Sequence, residues 1–325
     1  MLPRLRASAT VLVLGIVAVA CTSGGDDPPP PTGPSSSSPD PLVAMMASTD
    51  HYVGAPQRIG IGLVFGDGRL ISYGSVDFRF SYVGTAAESS EPQPGPSATG
   101  VYLPTPGTAD TGTSAAVTQP SEARGLYVAE DVMFDRAGFW QVDVIADVDG
   151  QGSQRASTTF GVTDEPALPA PGQPALATEN LTIHSKDVPE AAIDSRATTL
   201  GKVPDPELHR WTVAEALAEH QPIVLLFATP VFCVSQFCGP VTDEIDDLAK
   251  RYEDRAVFIH VEIYQDFDNN AITQAAADWL YRDGDLTEPW LYLIDEDGTI
   301  VDRWAVLFRA DEVAAALDEL PPMAA

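Results

Sequence analysis

Residues 222–241 read PIVLLFATPVFCVSQFCGPV. Pro222 to Ala228 is a continuous apolar run, as expected for a strand buried on both faces. Cys233 and Cys238 then bracket a short loop. After Gly239 and Pro240, the residues Val241, Ile245, Leu248 and Tyr252 recur at helical spacing. Proline is tolerated in the first turn of a helix, where its missing N–H would have no partner. The stretch therefore predicts strand, loop and helix in succession. Upstream, Val213, Leu217 and nearby alanines suit a short helix. Downstream, Ala256–Val261 is a second buried strand, and Ile272, Ala275, Ala276, Trp279 and Leu280 mark a helical face. Trp290–Ile294 and Thr299–Val301 read as a hairpin about the turn Asp295–Gly298, and Val313, Leu317 and Leu320 close with a helix. The order over residues 201–320 is α-β-α-β-α-β-β-α, an α/β domain.

That order, with Phe237-Cys238-Gly239-Pro240 at the first strand-to-helix junction and Glu288-Pro289-Trp290 before the hairpin, resembles the thioredoxin fold. The family motif is an aromatic residue followed by Cys-Gly-Pro-Cys. Here Val241 replaces the second cysteine, and Cys233, five residues upstream of Cys238, is the partner candidate. The resemblance implies thiol–disulfide exchange, with Cys238 as nucleophile and Cys233 as resolving partner. It also places Pro289 at the position of the family's cis-proline. Client contact is expected along Pro289, Trp290, Gly239 and Pro240, and no cofactor is implied. The arrangement is similar to extracytoplasmic thioredoxin-like lipoproteins with a β-sandwich in front.

The chemistry leaves alternatives open. A helix N-terminus favours a thiolate, but Asp243, Glu244, Asp246 and Asp247 follow Cys238 and oppose it. A four-residue gap allows the two sulfurs to bond if the loop turns back. The bond is then either exchanged with a client or a staple in a non-catalytic binding protein. A third reading is copper delivery, since Sco-type chaperones resemble thioredoxins. The histidine candidates are His209 and His220, flanking a surface helix, and His260, a core residue in an apolar strand. A peroxiredoxin pattern is absent, because Val234 and Phe237 stand where threonine and cysteine would follow Pro230. Glu262 and Tyr264 read as strand-end residues, the Asp295–Gly298 turn as a hairpin, and Asp266, Asp268 and Asp285 as a solvated face.

The N-terminal half has a different period. Ile59, Ile61, Leu63 and Phe65 alternate with small or polar neighbours, as do Val76, Phe78, Phe80 and Tyr82, and Trp140, Val142, Val144 and Ala146. Gly150-Gln151-Gly152 suits a tight hairpin before Ala156, Thr158, Phe160 and Val162. Residues 42–165 thus predict an antiparallel β-sandwich of seven or so strands, Ig-like in class. The Ser/Pro/Gly/Thr-rich stretch 84–122 reads as a mobile loop with a short strand near Val101–Leu103. Met45, Met46 and His51 hint at copper but suit packing, and no metal site is assigned. Residues 166–200 read as a linker, so the chain is multidomain.

The first residues are an address. Arg4 and Arg6 precede the apolar run Val11–Ala20, and Ala18-Val19-Ala20-Cys21 resembles the lipobox of bacterial lipoproteins. That resemblance implies a signal peptide over 1–20 and a lipid on Cys21. Residues 21–41 form a Pro/Ser-rich tether that holds the folded part off a membrane. The expected location is the extracytoplasmic side of a cell membrane, where disulfides persist and exported protein thiols or disulfides are the partners. With 47 Asp and Glu against 18 Lys and Arg, and a formal charge of -29, the chain lacks the basic surface that nucleic-acid binding needs.

Overall fold

The computed structural model describes residues 41–108, 112–233, 235–321 and 323. The expected signal peptide, Cys21 and nearly all of the tether lie outside the described residues. Among the described residues, no helix is long and apolar enough to cross a membrane.

The N-terminal half contains β1 (Leu42–Met46), β2 (His51–Tyr52), β3 (Gln57–Phe65), β4 (Leu70–Ser72), β5 (Ser75–Gly84), β6 (Ser89–Pro104), β7 (Ala116–Thr118), β8 (Gly125–Val132), β9 (Gly138–Val148) and β10 (Gly152–Thr163). These ten strands form one hydrogen-bonded sheet in the order β2-β10-β9-β5-β6-β8-β3-β4-β7, with β1 beside β3. The pairing is antiparallel except between β2 and β10. Alternation sets the faces: Val76, Phe78 and Phe80 of β5 are buried, and Asp77 and Arg79 between them are exposed. The buried residues of the whole sheet, Ile59, Phe78, Trp140 and Val142 among them, share one core. The sheet bends back on itself, since Ala115 bridges Val148 and its carbonyl accepts from Asp149 N–H. The predicted hairpin joins β9 to β10, with Gly150 and Gly152 at φ 74° and 71°.

Two expectations differ from this structure. The predicted pair of separate sheets is one continuous sheet, because β6 pairs with β5 up to Val101 and with β8 from there to Pro104. The predicted loop over 84–122 contains the 16-residue strand β6. Its prolines at 92, 94 and 96 fall where β6 pairs with β5 alone, so no second ladder needs their missing N–H. Gly100 of this strand lies under Phe78, whose ring would stand 2.7 Å from an added Cβ.

The C-terminal half runs α1 (Ala197–Leu200), α2 (Val213–Ala218), β11 (Ile223–Ala228), α3 (Cys238–Arg251), β12 (Val257–Glu262), β13 (Tyr264–Asp266), β14 (Ala271–Ile272), α4 (Gln274–Leu280), β15 (Trp290–Ile294), β16 (Ile300–Ala305) and α5 (Ala310–Glu319). The four-stranded sheet has the order β12-β11-β15-β16, with β11 parallel to β12 and antiparallel to β15. The small pair β13–β14 is additional to the predicted order. All six residues of β11 are fully buried. Val224, Leu226 and Ala228 meet Val241, Ile245 and Leu248 of α3 and Val313 and Leu317 of α5. Ile223, Leu225 and Phe227 meet Val213 of α2 and Ala276 and Trp279 of α4. Helices on both faces leave no wet side, which is why the strand is apolar at every position.

The two halves share a core. Leu103, Leu126 and Val128 of the large sheet pack with the α3 and α5 face. Arg303 of β16 reaches Asp50 at 2.8 Å in a buried ion pair, and the Thr49 and Thr287 hydroxyls meet at 3.1 Å. Arg58 donates to the Leu307 carbonyl at 3.1 Å. Residues 166–200, read from composition as a linker, are packed. Leu168 enters the core beside Trp279, and Gly172 and Ala175 N–H groups donate to Ile300 and Gly298 carbonyls at 2.8 Å. Asp194 and Ser195 are buried.

Candidate functional site

β11 ends at the sheet's upper edge, and the chain crosses to the head of α3 through residues 229–237. Cys233 and Cys238 are joined in a disulfide across this crossing, with Cα atoms 6.0 Å apart. The two sulfurs differ in access. Cys238 is the first residue of α3 and is 0 % exposed, packed in the core with Val241 and Ala228. Cys233 is only half-buried, and its Sγ lies 3.0 Å from the exposed Ser235 Oγ. The expectation of Cys238 as the sulfur open to attack does not agree with this burial. A residue at the start of a core-facing helix turns inward, and the loop before it carries the outer sulfur.

The Glu288–Pro289 peptide bond is cis. Pro289 is buried, and its carbonyl accepts from Val306 N–H at 2.8 Å. Trp290, expected to meet a client, is 3 % exposed, and its indole N–H donates to the Thr287 hydroxyl at 3.0 Å. It is therefore core, stacked under the Arg303 guanidinium. Gly239 and Pro240 are half-buried in the first turn of α3. Leu286, Thr287 and Glu288, rather than Trp290, line a groove together with Cys233.

Glu288 has a special place. A carboxylate oxygen of it and both sulfurs all lie within 4.8 Å of one another. Its Oε2 is buried and has no hydrogen-bond partner. Burial, reinforced by the negative charge of Glu262, raises its pKa to about 8, against the pull of the Thr229 backbone N–H. Glu262, at the end of β12, is 2 % exposed and raised to about 7 by burial. It accepts from the Thr229 hydroxyl, from Ser195 N–H at 2.8 Å and from Ile263 N–H at 2.9 Å. Reading it as a strand-end residue missed that these donors tie together the loops around the disulfide. Nothing in the local pattern distinguishes it from a solvated acid, because its partners come from residues 195 and 229.

A second buried cluster lies nearby. Asp194 Oδ2 accepts from Arg196 at 2.7 Å and faces His209 Nε2 at 3.2 Å and His260 Nδ1 at 3.4 Å. Burial opposes its charge, but His209, His260 and Arg196 outweigh that and hold the carboxyl far below the ordinary range. His260 Nε2 lies 3.0 Å from the Ala228 carbonyl, as suits a hydrogen-bonded core histidine. His209 was expected beside a surface helix and is fully buried. Asp194, His209 and His260 offer three ligand atoms within 4.8 Å of one another, but the Arg196 guanidinium already neutralises the carboxylate.

The third ligand atom beside the two sulfurs is Glu288 oxygen, a hard donor poorly matched to Cu(I). His51 is buried, held near pKa 4 by burial, and meets Ser48 Oγ at 2.9 Å. Met46 packs on the sheet core, and Met45 is 56 % exposed. No family model matches the chain, and no curated protein matches its sequence.

Proposed function

We propose that this chain is a thioredoxin-like thiol–disulfide exchange protein, anchored by a lipid on Cys21 to the extracytoplasmic side of a membrane, acting on exported proteins. The observation that carries the reading is a disulfide at the head of α3 whose Cys233 lines a groove and whose Cys238 is fully buried. The strand order β12-β11-β15-β16, with one parallel and two antiparallel pairings, supports the thioredoxin-like reading of this half.

Cys233 takes the outer role and Cys238 the inner one. A client thiolate attacks Cys233 Sγ, the bond to Cys238 breaks, and its electron pair goes to Cys238 Sγ. Glu288, protonated at neutral pH, gives that sulfur a proton and becomes a carboxylate. A second client thiol then attacks the client sulfur of the mixed disulfide and expels Cys233. The client leaves as a disulfide, and the protein holds two thiols. In the reverse direction Cys233 thiolate attacks a client disulfide and one client thiolate leaves; Glu288, as the carboxylate that the forward step produces, takes the Cys238 proton as Cys238 attacks Cys233 Sγ and expels the second client sulfur.

The full burial of Cys238 also suits a second reading, in which the bond is a staple in a non-catalytic binding protein. Equilibration of the full chain with graded thiol buffers separates the two. Exchange predicts a potential within the range of thiol–disulfide oxidoreductases, above about -300 mV, and a staple one below it.

A further inference from the structure

The disulfide opens into a groove of about 690 Å³ whose opposite wall is the N-terminal sheet. Met45, Leu70 and Leu126 line it from that sheet, and Phe237, Leu286 and Glu288 from the C-terminal half. We propose that this groove holds an extended, apolar, cysteine-bearing segment of the client, and that the face of the N-terminal sheet formed by β1 and β3 is its selecting wall, an inference that rests on the exchange reading above.

Four observations carry it. The reactive corner and the wall belong to one cavity, so a segment bonded to Cys233 must lie against the sheet. The wall is fixed: Leu126 belongs to the shared core, and the Thr49–Thr287 contact and the Arg303–Asp50 pair join the halves. Charge differs between groove and surface. The chain carries 47 acidic residues, yet among the described residues Glu288 is the one carboxyl lining the groove, and Arg124, bonded to Gln236 across it, is the one cation. Lastly, among the described residues, Thr287 and Glu288 pair with no strand. An extended polypeptide can add hydrogen bonds to such backbone, which a small thiol cannot.

The test uses the full chain, reduced with a dithiol and freed of it. It is mixed with three probes sharing one leaving group: dithiodipyridine, an apolar pentapeptide and an aspartate-flanked pentapeptide, each peptide with a central cysteine carried as a pyridyl disulfide. Cys233 thiolate attacks the peptide sulfur and pyridinethione leaves; Cys238 then closes on Cys233 and frees the peptide thiol. The apolar peptide is expected to react about tenfold faster than the acidic one. Met45→Glu, at an exposed position, brings the ratio of the apolar to the acidic peptide rate down to about one; Met45→Ala gives a smaller loss of that ratio. If dithiodipyridine reacts but the peptides do not differ, or Met45→Glu changes nothing, the groove assignment is overturned and exchange stands. If no probe forms an adduct with the reduced protein, exchange fails and the groove assignment fails with it.

Discussion

Asp194 and Glu288 are both carboxyls withdrawn from water, and their surroundings push them in opposite directions. Asp194 has a guanidinium and two imidazoles around it and stays ionised. Glu288 has two sulfurs, an unpartnered oxygen and another acid nearby, and keeps its proton to about pH 8. Burial costs the charged form in both cases, and only a cation within reach reverses the outcome. The first site is therefore a structural clamp holding residues 194–196 to β12. The second has a mobile proton beside the bond proposed to break.

The largest effect that would break this contrast is at the clamp. Asp194→Ala leaves the two buried histidines without their anion and Arg196 with only Asp205 and Asp243, and is expected to cost about 3–5 kcal/mol in urea unfolding. A loss near zero would mean that the cluster holds nothing. The charge of Asp194 stabilises the fold above the unfolded aspartate pKa, and this contribution is lost as pH falls below that value.

Glu288→Gln should act on chemistry more than on fold. Glutamine keeps the shape of the protonated acid, so exchange is expected to slow about 100-fold near neutral pH with little loss of stability. The sign for pH is the reverse of the clamp's. Glu288 is raised from 4.5 to about 8, so native stability falls as pH climbs between these values. Glu288→Gln should flatten that decline in a series of unfolding midpoints, and an unchanged slope would contradict a proton held at this site. Glu262, raised to about 7, should leave a smaller residual slope ending about one unit lower.

The smallest expected effect is at a pair whose cation is exposed. Lys250 meets Asp246 one turn back on α3. Lys250→Ala should leave the urea midpoint and the exchange rate unchanged, because water already screens the lysine. A large loss there would show that partner count, not burial, decides the outcome at Asp194.

Much of the C-terminal half could be read from local periodicity. An apolar run such as residues 222–228 has no other place than the middle of a covered sheet, and helical spacing after Pro240 fixed α3. The cysteine pair was visible by its spacing. Its inner and outer members were not, because access depends on how α3 faces the core. Trp290 was expected at a client because the resemblance puts contact beside Pro289, yet it pairs across the sheet with Phe227 and stacks on Tyr292 in the core. Residues 166–200 looked like a linker because Pro and Ala carry little pattern, and their anchors, such as Asn180 accepting from Val213 N–H at 2.8 Å, are distant in sequence. β6 was hidden for a related reason: three prolines on one free edge resemble a loop until the pairing is known.

Adduct mapping tests the central claim most directly. Cys238→Ala and Cys233→Ala forms of the full chain are each treated with a peptide disulfide, and the modified residue is located by mass spectrometry. The account predicts a stable mixed disulfide on Cys233 in the first and almost none on Cys238 in the second. Ready modification of Cys238, or an untouched Cys233, would contradict it.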